Sequence, residues 1–256
     1  AFTETGGSLF PRITQTESKE WTTLGYGEQG LRNHPQPDYE YTLGADFAGG
    51  TGNDYSAINV LCLNTREQVY RFMDNRINPV AFAEKLVEVA RRYNDAYVVP
   101  EINSHGIAGT ELIRRNYPLT RIYRRSRSKS QSSRIMPAHG YGWQTMGTTK
   151  PYMVGIAQQF ILNGWTVYDS MTYSQLRSFK EDPDTGKMEA DTGHDDVAIA
   201  FMLACLGILR LLRMTSPEDV TPDELPVAVA ERLAKLRGKA LKKPAPKMSH
   251  RDAQGR

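Results

Sequence analysis

Cysteine is scarce in this chain of 256 residues: there are two, Cys62 and Cys205. They lie far apart, each inside an apolar run, without the paired spacing of a zinc site. That excludes a disulfide scaffold and a thiolate metal centre, and it fits buried, inert thiols in a reducing compartment. No secretory signal opens the sequence as given, and a first residue of Ala rather than Met reads as the start of an excised fragment or a processed product. The apolar run from Val197 to Leu209 is too short to span a bilayer and is followed by Arg210 and Arg213, so it reads as a core helix. A G-x-x-x-x-G-K-[ST] phosphate loop is also missing. Gly49-Gly50-Thr51-Gly52-Asn53-Asp54 is glycine-rich but has no lysine, so it reads as a turn, and this stretch of chain alone carries no nucleotide-driven motor. Finally, Lys and Arg total 32 against 29 Asp and Glu, a formal charge of +3 that identifies no partner by itself. Its distribution is more informative. From Leu112 to Tyr168 there is no acidic residue, while Arg114, Arg115, Arg121, Arg124, Arg125, Arg127, Lys129, Arg134 and Lys150 all fall inside.

What is present suffices for one substantial core, with 39% hydrophobic residues. Residues 1–38 mix Gly, Thr, Pro and isolated aromatics without sustained period, and Pro35-Gln36-Pro37-Asp38 closes them like a linker, which predicts an N-terminal arm. Strands are expected over Tyr41–Phe47, Ser56–Leu63 and Gln68–Met73, an antiparallel meander joined by short turns. The period then changes: Ala83, Leu86, Val87 and Ala90 mark a helix after Pro79. A short apolar strand over Ala96–Val99, a helix to Asn116 and a strand over Leu119–Tyr123 follow. Met153, Ile156, Ala157 and Phe160 mark another helix. Beyond it a strand over Trp165–Tyr168, a helix over Met171–Ser178 and a polar hairpin over Phe179–Ala190 are expected, then the long helix from Asp195 to about Leu212. The pattern predicts an α/β fold with a mixed sheet flanked by helices over residues 39–213. Residues 214–256 read as an amphipathic helix over Pro226–Leu241 and a basic tail from Lys242.

The chemistry concentrates in acids. Asp195 and Asp196 are adjacent at the start of a helix, where two readings compete. One is helix capping, which Asp does well at the positive end of the helix dipole. The other is divalent-metal binding, which requires further carboxylates from elsewhere. Asp46 and Glu101 each end a predicted strand, the place where sites form in open α/β sheets. Four carboxylates with no Cys or clustered His favour Mg²⁺ or Mn²⁺ over Zn²⁺.

Taken in order, Leu43-Gly44-Ala45-Asp46-Phe47, Val99-Pro100-Glu101-Ile102-Asn103, Gly147-Thr148-Thr149-Lys150-Pro151 and Gly193-His194-Asp195-Asp196 resemble the nuclease domain of the large terminase subunit of tailed bacteriophages. The resemblance spans about Tyr39 to Arg213 and lies in the ordered set of motifs. It implies a ribonuclease H-like fold, an antiparallel meander plus parallel strands. It also implies that Asp46, Glu101, Asp195 and Asp196 bind two Mg²⁺ or Mn²⁺ ions and cut double-stranded DNA with little sequence preference during genome packaging. Which Asp of the pair is the primary ligand stays open. The partners implied are the packaging ATPase domain, the small terminase subunit and the portal protein, with no membrane, in the host cytoplasm. Residues 1–38 would then be the remnant joining the ATPase to the nuclease.

The arginine-rich segment reads either as a solvated loop or as a phosphate-binding surface, with Arg121, Arg124, Arg125, Arg127, Lys129, Arg134 and Lys150 the DNA contacts. His194 is a possible accessory group, or simply completes its turn. Asp54 and Asp169 read either as accessory acids or, more simply, as turn residues, and Ser104-His105 lacks the surroundings of a nucleophile. The competing functions are a junction resolvase or integrase-like nuclease, and a catalytically silent module docking on a portal or motor.

Overall fold

The computed structural model describes residues 7–125, 140–191 and 193–212. In chain order the strands and helices are β1 (Trp21–Gly25), β2 (Glu28–Leu31), β3 (Tyr41–Asp46), β4 (Ser56–Cys62), β5 (Glu67–Asp74), α1 (Pro79–Arg92), β6 (Tyr97–Pro100), α2 (Gly106–Asn116), α3 (Lys150–Leu162), α4 (Ser170–Ser178), β7 (Phe179–Glu181), β8 (Met188–Ala190) and α5 (Asp196–Leu211). The six-stranded sheet runs β1-β2-β5-β4-β3-β6, and β7 and β8 form a separate hairpin. All neighbours in the large sheet are antiparallel except β3 and β6. The meander and the single parallel crossover through α1 are those predicted from the change of period.

Side-chain alternation along β3 sets the layers. Tyr41, Leu43 and Ala45 belong to the core under α1, together with Phe82, Leu86 and Ala90. Thr42, Gly44 and Asp46 turn to the opposite face, which α5 covers. Residues 197–209 of α5 are buried, so it is apolar all round because it lies between the sheet and the rest of its layer. Burying Phe201, Met202, Leu203 and Leu206 there stabilises the fold by about 1.5–3 kcal/mol each. The approach is close enough to need a glycine. A Cβ on Gly44 would lie 2.0 Å from the Ala200 carbonyl oxygen and 2.4 Å from the Ala204 nitrogen. This packing fixes the height of α5 above the strand that ends in Asp46.

Three stretches differ from expectation. Residues 21–31, inside the predicted arm, add the hairpin β1-β2 to the sheet edge, with Trp21 stacked on Tyr168 at 5.8 Å. An edge hairpin is only partly covered and β1 has no buried residue, so the apolar alternation that announces a strand is missing. Leu119–Tyr123 is a 3₁₀ turn over Leu119–Arg121 followed by a single bridge from Ile122 to Val98; β6 has only four residues to offer a partner. Residues 165–168 make isolated bridges, Thr166 to Glu67 and Val167 to Gln15, in place of a strand. There the Gln68 side chain accepts from the Tyr168 and Asp169 amides, so those groups are satisfied without a ladder. The helix and basic tail predicted over 214–256 lie outside the described residues. Among the described residues no helix is long and apolar enough to cross a membrane.

Candidate active site

Two of the four acids are delivered by adjacent parallel strands. Ala45 of β3 pairs with Pro100 of β6, and the Glu101 amide donates to the Ala45 carbonyl at 2.8 Å, so Asp46 and Glu101 leave the sheet side by side. On its other side Glu101 is bridged to Trp143: the Trp143 amide donates to Pro100 O and the Ile102 amide to Trp143 O, both at 2.8 Å. Glu101 is buried. Asn103 Nδ2 donates to Glu101 Oε1 at 3.1 Å and to the Thr145 carbonyl at 2.9 Å, which ties the carboxylate to the following segment. The chain then turns sharply into α2. Ser104 sits at φ 44, and a Cβ on Gly106 would fall 1.9 Å from the Glu101 carbonyl oxygen.

The other two acids stand at the mouth of α5. Asp195 occupies the N-cap position but its side chain makes no capping hydrogen bond. Its Oδ2 instead accepts from Lys150 Nζ at 3.1 Å, at the first residue of α3. Capping therefore does not describe what Asp195 does. Asp196 Oδ2 accepts from the Tyr55 amide at 3.3 Å, and His194 Nδ1 lies 3.8 Å from the same oxygen and 3.9 Å from Asp54 Oδ1.

The three segments interact electrically across the cleft. Burial pushes Asp46 well above the usual carboxylate range, helped by the charge of Glu101, a hydrogen bond with it, and then by Asp196 and Asp195. Burial likewise pushes Asp196 up to about 6, opposed by the Tyr55 amide and His194 and supported by Asp195 and Asp54. Among the described residues no three His, Cys, Asp or Glu side chains are drawn tightly enough together to form a ready cage. Asp46 nevertheless feels Glu101, Asp196 and Asp195, Asp196 feels Asp195 and Asp54, and Lys150 is paired with Asp195. An all-oxygen donor set carrying excess negative charge fits hard divalent ions.

The predicted DNA contacts divide. Lys150 belongs to the cleft. Arg124 stacks over Tyr141 at 6.0 Å and Arg125 NH1 donates to Gln144 Oε1 at 3.2 Å, both at the point where the arginine-rich segment leaves the described chain. Arg121 reaches Glu40, ahead of β3, at 3.4 Å, so it sits at the end of the sheet away from Asp46. Arg127, Lys129 and Arg134 lie outside the described residues. Asp169 is a buried N-cap of α4 paired with Arg71 at 3.1 Å, so it serves the core. The His105 ring packs beside Gly49. Asn103 and the Tyr55 amide, which hold two of the acids, were not singled out from the sequence. Asn103 stands two residues after Glu101, the one local signal; nothing in sequence marks Tyr55, since it acts through its backbone.

Residues 43–144 match the family model of the terminase RNaseH-like domain. The structure is similar to that of the large terminase nuclease from thermophilic phage G20c, with a TM-score of 0.58 and 21% identity over 77% of this chain and 97% of that one. The same nuclease with bound magnesium gives a TM-score of 0.60 at 21% identity, covering 78% and 97%. The large terminase nuclease domain of Thermus phage P74-26 gives 0.52 at 21%, covering 77% and 94%. The G20c nuclease has also been solved with cobalt and with zinc. No curated protein matches the chain. Residues 43–144 thus resemble the terminase RNaseH-like domain, and the chain has the ribonuclease H-like fold of the phage large-terminase nucleases.

Proposed function

We propose that the chain is a metal-dependent endonuclease that cuts double-stranded DNA with little sequence preference during phage genome packaging. The observation that carries this reading is the approach of Asp46, Glu101 and the Asp195-Asp196 pair, from two strand ends and a helix start, where burial first and the neighbouring carboxylates second raise Asp46 and Asp196. Asp46 and one Asp of the pair would hold one ion, and Glu101 with the other acid a second. Two bound Mg²⁺ or Mn²⁺ ions would activate water and stabilise the leaving oxygen of an in-line phosphodiester displacement. The chain's own residues do the positioning. Asn103 fixes the rotamer of Glu101, the Tyr55 amide that of Asp196, and Lys150 balances Asp195 until a phosphate or a metal competes for either partner. Arg124 and Arg125, beside the cleft's β6 edge, would hold backbone phosphates and read no bases. The packaging ATPase, the small terminase subunit and the portal are the partners this reading implies.

The test is plasmid nicking in Mg²⁺ or Mn²⁺. Asp46→Asn is expected to lower the rate about a thousandfold or more, the scale set by losing several kcal/mol of metal-supplied charge stabilisation, with the thermal transition retained. Full activity in that variant would end the proposal. Faster cleavage of four-way junctions than of linear duplex would favour a resolvase instead.

A further inference from the structure

We infer that Arg210, in the last turn of α5, is a further contact for DNA phosphate, and that the duplex leaves the acid cleft along the β6 edge of the sheet. The inference rests on the DNA-cutting reading above and gives it a path. β6 is an edge strand, and beyond it run Ile122, bridged to Val98, and Trp143, bridged to Glu101. Arg124 pairs with Tyr141 in the same border, so the arginine-rich segment departs beside the strand that delivers Glu101. From the acids at its start, α5 runs to Arg210, about 22 Å away at 1.5 Å per residue. Long side chains on a helix lean back towards its start. Arg210 accordingly reaches the same border, where its Nη2 donates to the Arg124 carbonyl at 2.9 Å.

Two features suit this border to a polyanion. The guanidiniums lie over rings: Arg210 is 5.5 Å from the centroid of Tyr123, and Arg124 and Arg114 are 6.0 and 5.1 Å from that of Tyr141. A ring fixes the plane of a guanidinium and leaves its edge to offer the fork of donors that matches a phosphate. Neutralisation is also missing. Glu111 pairs with Arg114, but among the described residues no carboxylate pairs with Arg124 or Arg210, and from Leu112 to Tyr168 the sequence supplies no acid. The opposite edge differs: there Lys85 and Arg92 share Glu28 of β2. Like charges gathered without counter-charge repel one another, and a row of phosphates relieves that repulsion. The stretch from Asp195 to Arg210 matches about six base pairs of duplex.

The experiment is fluorescence anisotropy of a labelled duplex in EDTA across a salt series, with the full chain, Arg210→Gln, Arg210→Lys, Arg124→Ala and the Arg210→Gln, Arg124→Ala double variant. Arg32→Gln is the control, since Arg32 lies at the opposite edge on Thr22. Arg210→Gln is expected to lower the slope of log affinity against log salt by about one and to weaken binding about fivefold. Arg210→Lys keeps the charge and should keep the slope, and Arg32→Gln should match the parent. A residue that only holds Arg124 in place would cost nothing more once Arg124 is gone. A phosphate contact of its own adds its loss, about two in the double variant. An unchanged slope in Arg210→Gln, an equal loss in Arg32→Gln, or losses that do not add would overturn the inference. If the parent binds duplex but never nicks plasmid in Mg²⁺ or Mn²⁺, the nuclease reading falls and the slopes alone decide the path. A parent that binds no duplex overturns both.

Discussion

The two walls of the acid cleft are built in different ways. Asp46 and Glu101 stand on neighbouring parallel strands, where register places one carboxylate beside the other through backbone hydrogen bonds alone. Asp195 and Asp196 stand at a helix start, where the Asp195 backbone at φ -126, ψ 7 lies outside the extended region of a capping residue, its side chain accepts from Lys150 of α3, and Gln175 of α4 accepts from the Ala198 amide. The strand wall lies within the segment that matches the terminase RNaseH-like domain and the helix wall lies beyond it. Sheet register is a strong constraint because a slip by one residue turns every side chain to the other face. A cap is worth only about 0.5–2 kcal/mol, so the helix wall is the one more easily reset.

The sharpest way to break the comparison is to separate the walls. Gly44→Ala puts a methyl 2.0 Å from the Ala200 carbonyl oxygen, against helix backbone that has no rotamer to move. The cost should be at the upper end of the ~1–3 kcal/mol of overpacking or above it, a fall of roughly 5–10 °C in the melting temperature. Scanning calorimetry measures it, and an unchanged transition would mean α5 does not rest on β3. Asn103→Ala acts on the strand wall alone. It frees Glu101 from one hydrogen bond and should lower kcat about tenfold with the melting temperature nearly unchanged; a larger loss of stability than of rate would make Asn103 a structural residue.

The helix wall should reveal itself through pH in chelated protein. Asp196 is raised to about 6, so between about pH 4 and pH 6 the folded state binds more protons at this group than the unfolded chain does. Its contribution to stability therefore falls as pH rises through that window, and at neutral pH the ionised group is a liability. Relative to the parent, Asp196→Asn should gain stability from pH 4.5 to pH 7 in urea titrations; a constant difference would contradict the raised Asp196. The smallest expected effect concerns neither wall. Arg124→Ala and Arg125→Ala should each reduce the slope of log DNA affinity against log salt by about one, uniformly across sequences.

Much of this was open to a reader of the sequence, and for a physical reason. Leu43, Ala45 and Asp46, or Val98, Val99 and Glu101, announce themselves because strand alternation and apolar runs are local, and the acid at the end of each is an interruption in a pattern. The α5 run from Val197 is equally plain. The edge hairpin β1-β2 was not, because half-buried Thr22 and exposed Thr23 and Leu24 have no periodicity to show. Nor was the division of labour at α5: an Asp beside an Asp at a helix start looks the same whether it caps or faces a cleft. The answer lies in the Asp195 backbone and in Lys150, whose contact with Asp195 is long-range. Lys150 read as a phosphate ligand and is found on a carboxylate, a pairing that only the third dimension supplies.

The central claim is that acids from both walls serve a common set of ions. It is tested most directly by anomalous diffraction from crystals soaked in Mn²⁺. The account predicts density between Asp46 and the Asp195-Asp196 pair, and between Glu101 and the same helix start, with Lys150 displaced from Asp195. Manganese bound elsewhere, or a cleft without anomalous density at saturating Mn²⁺, would contradict it.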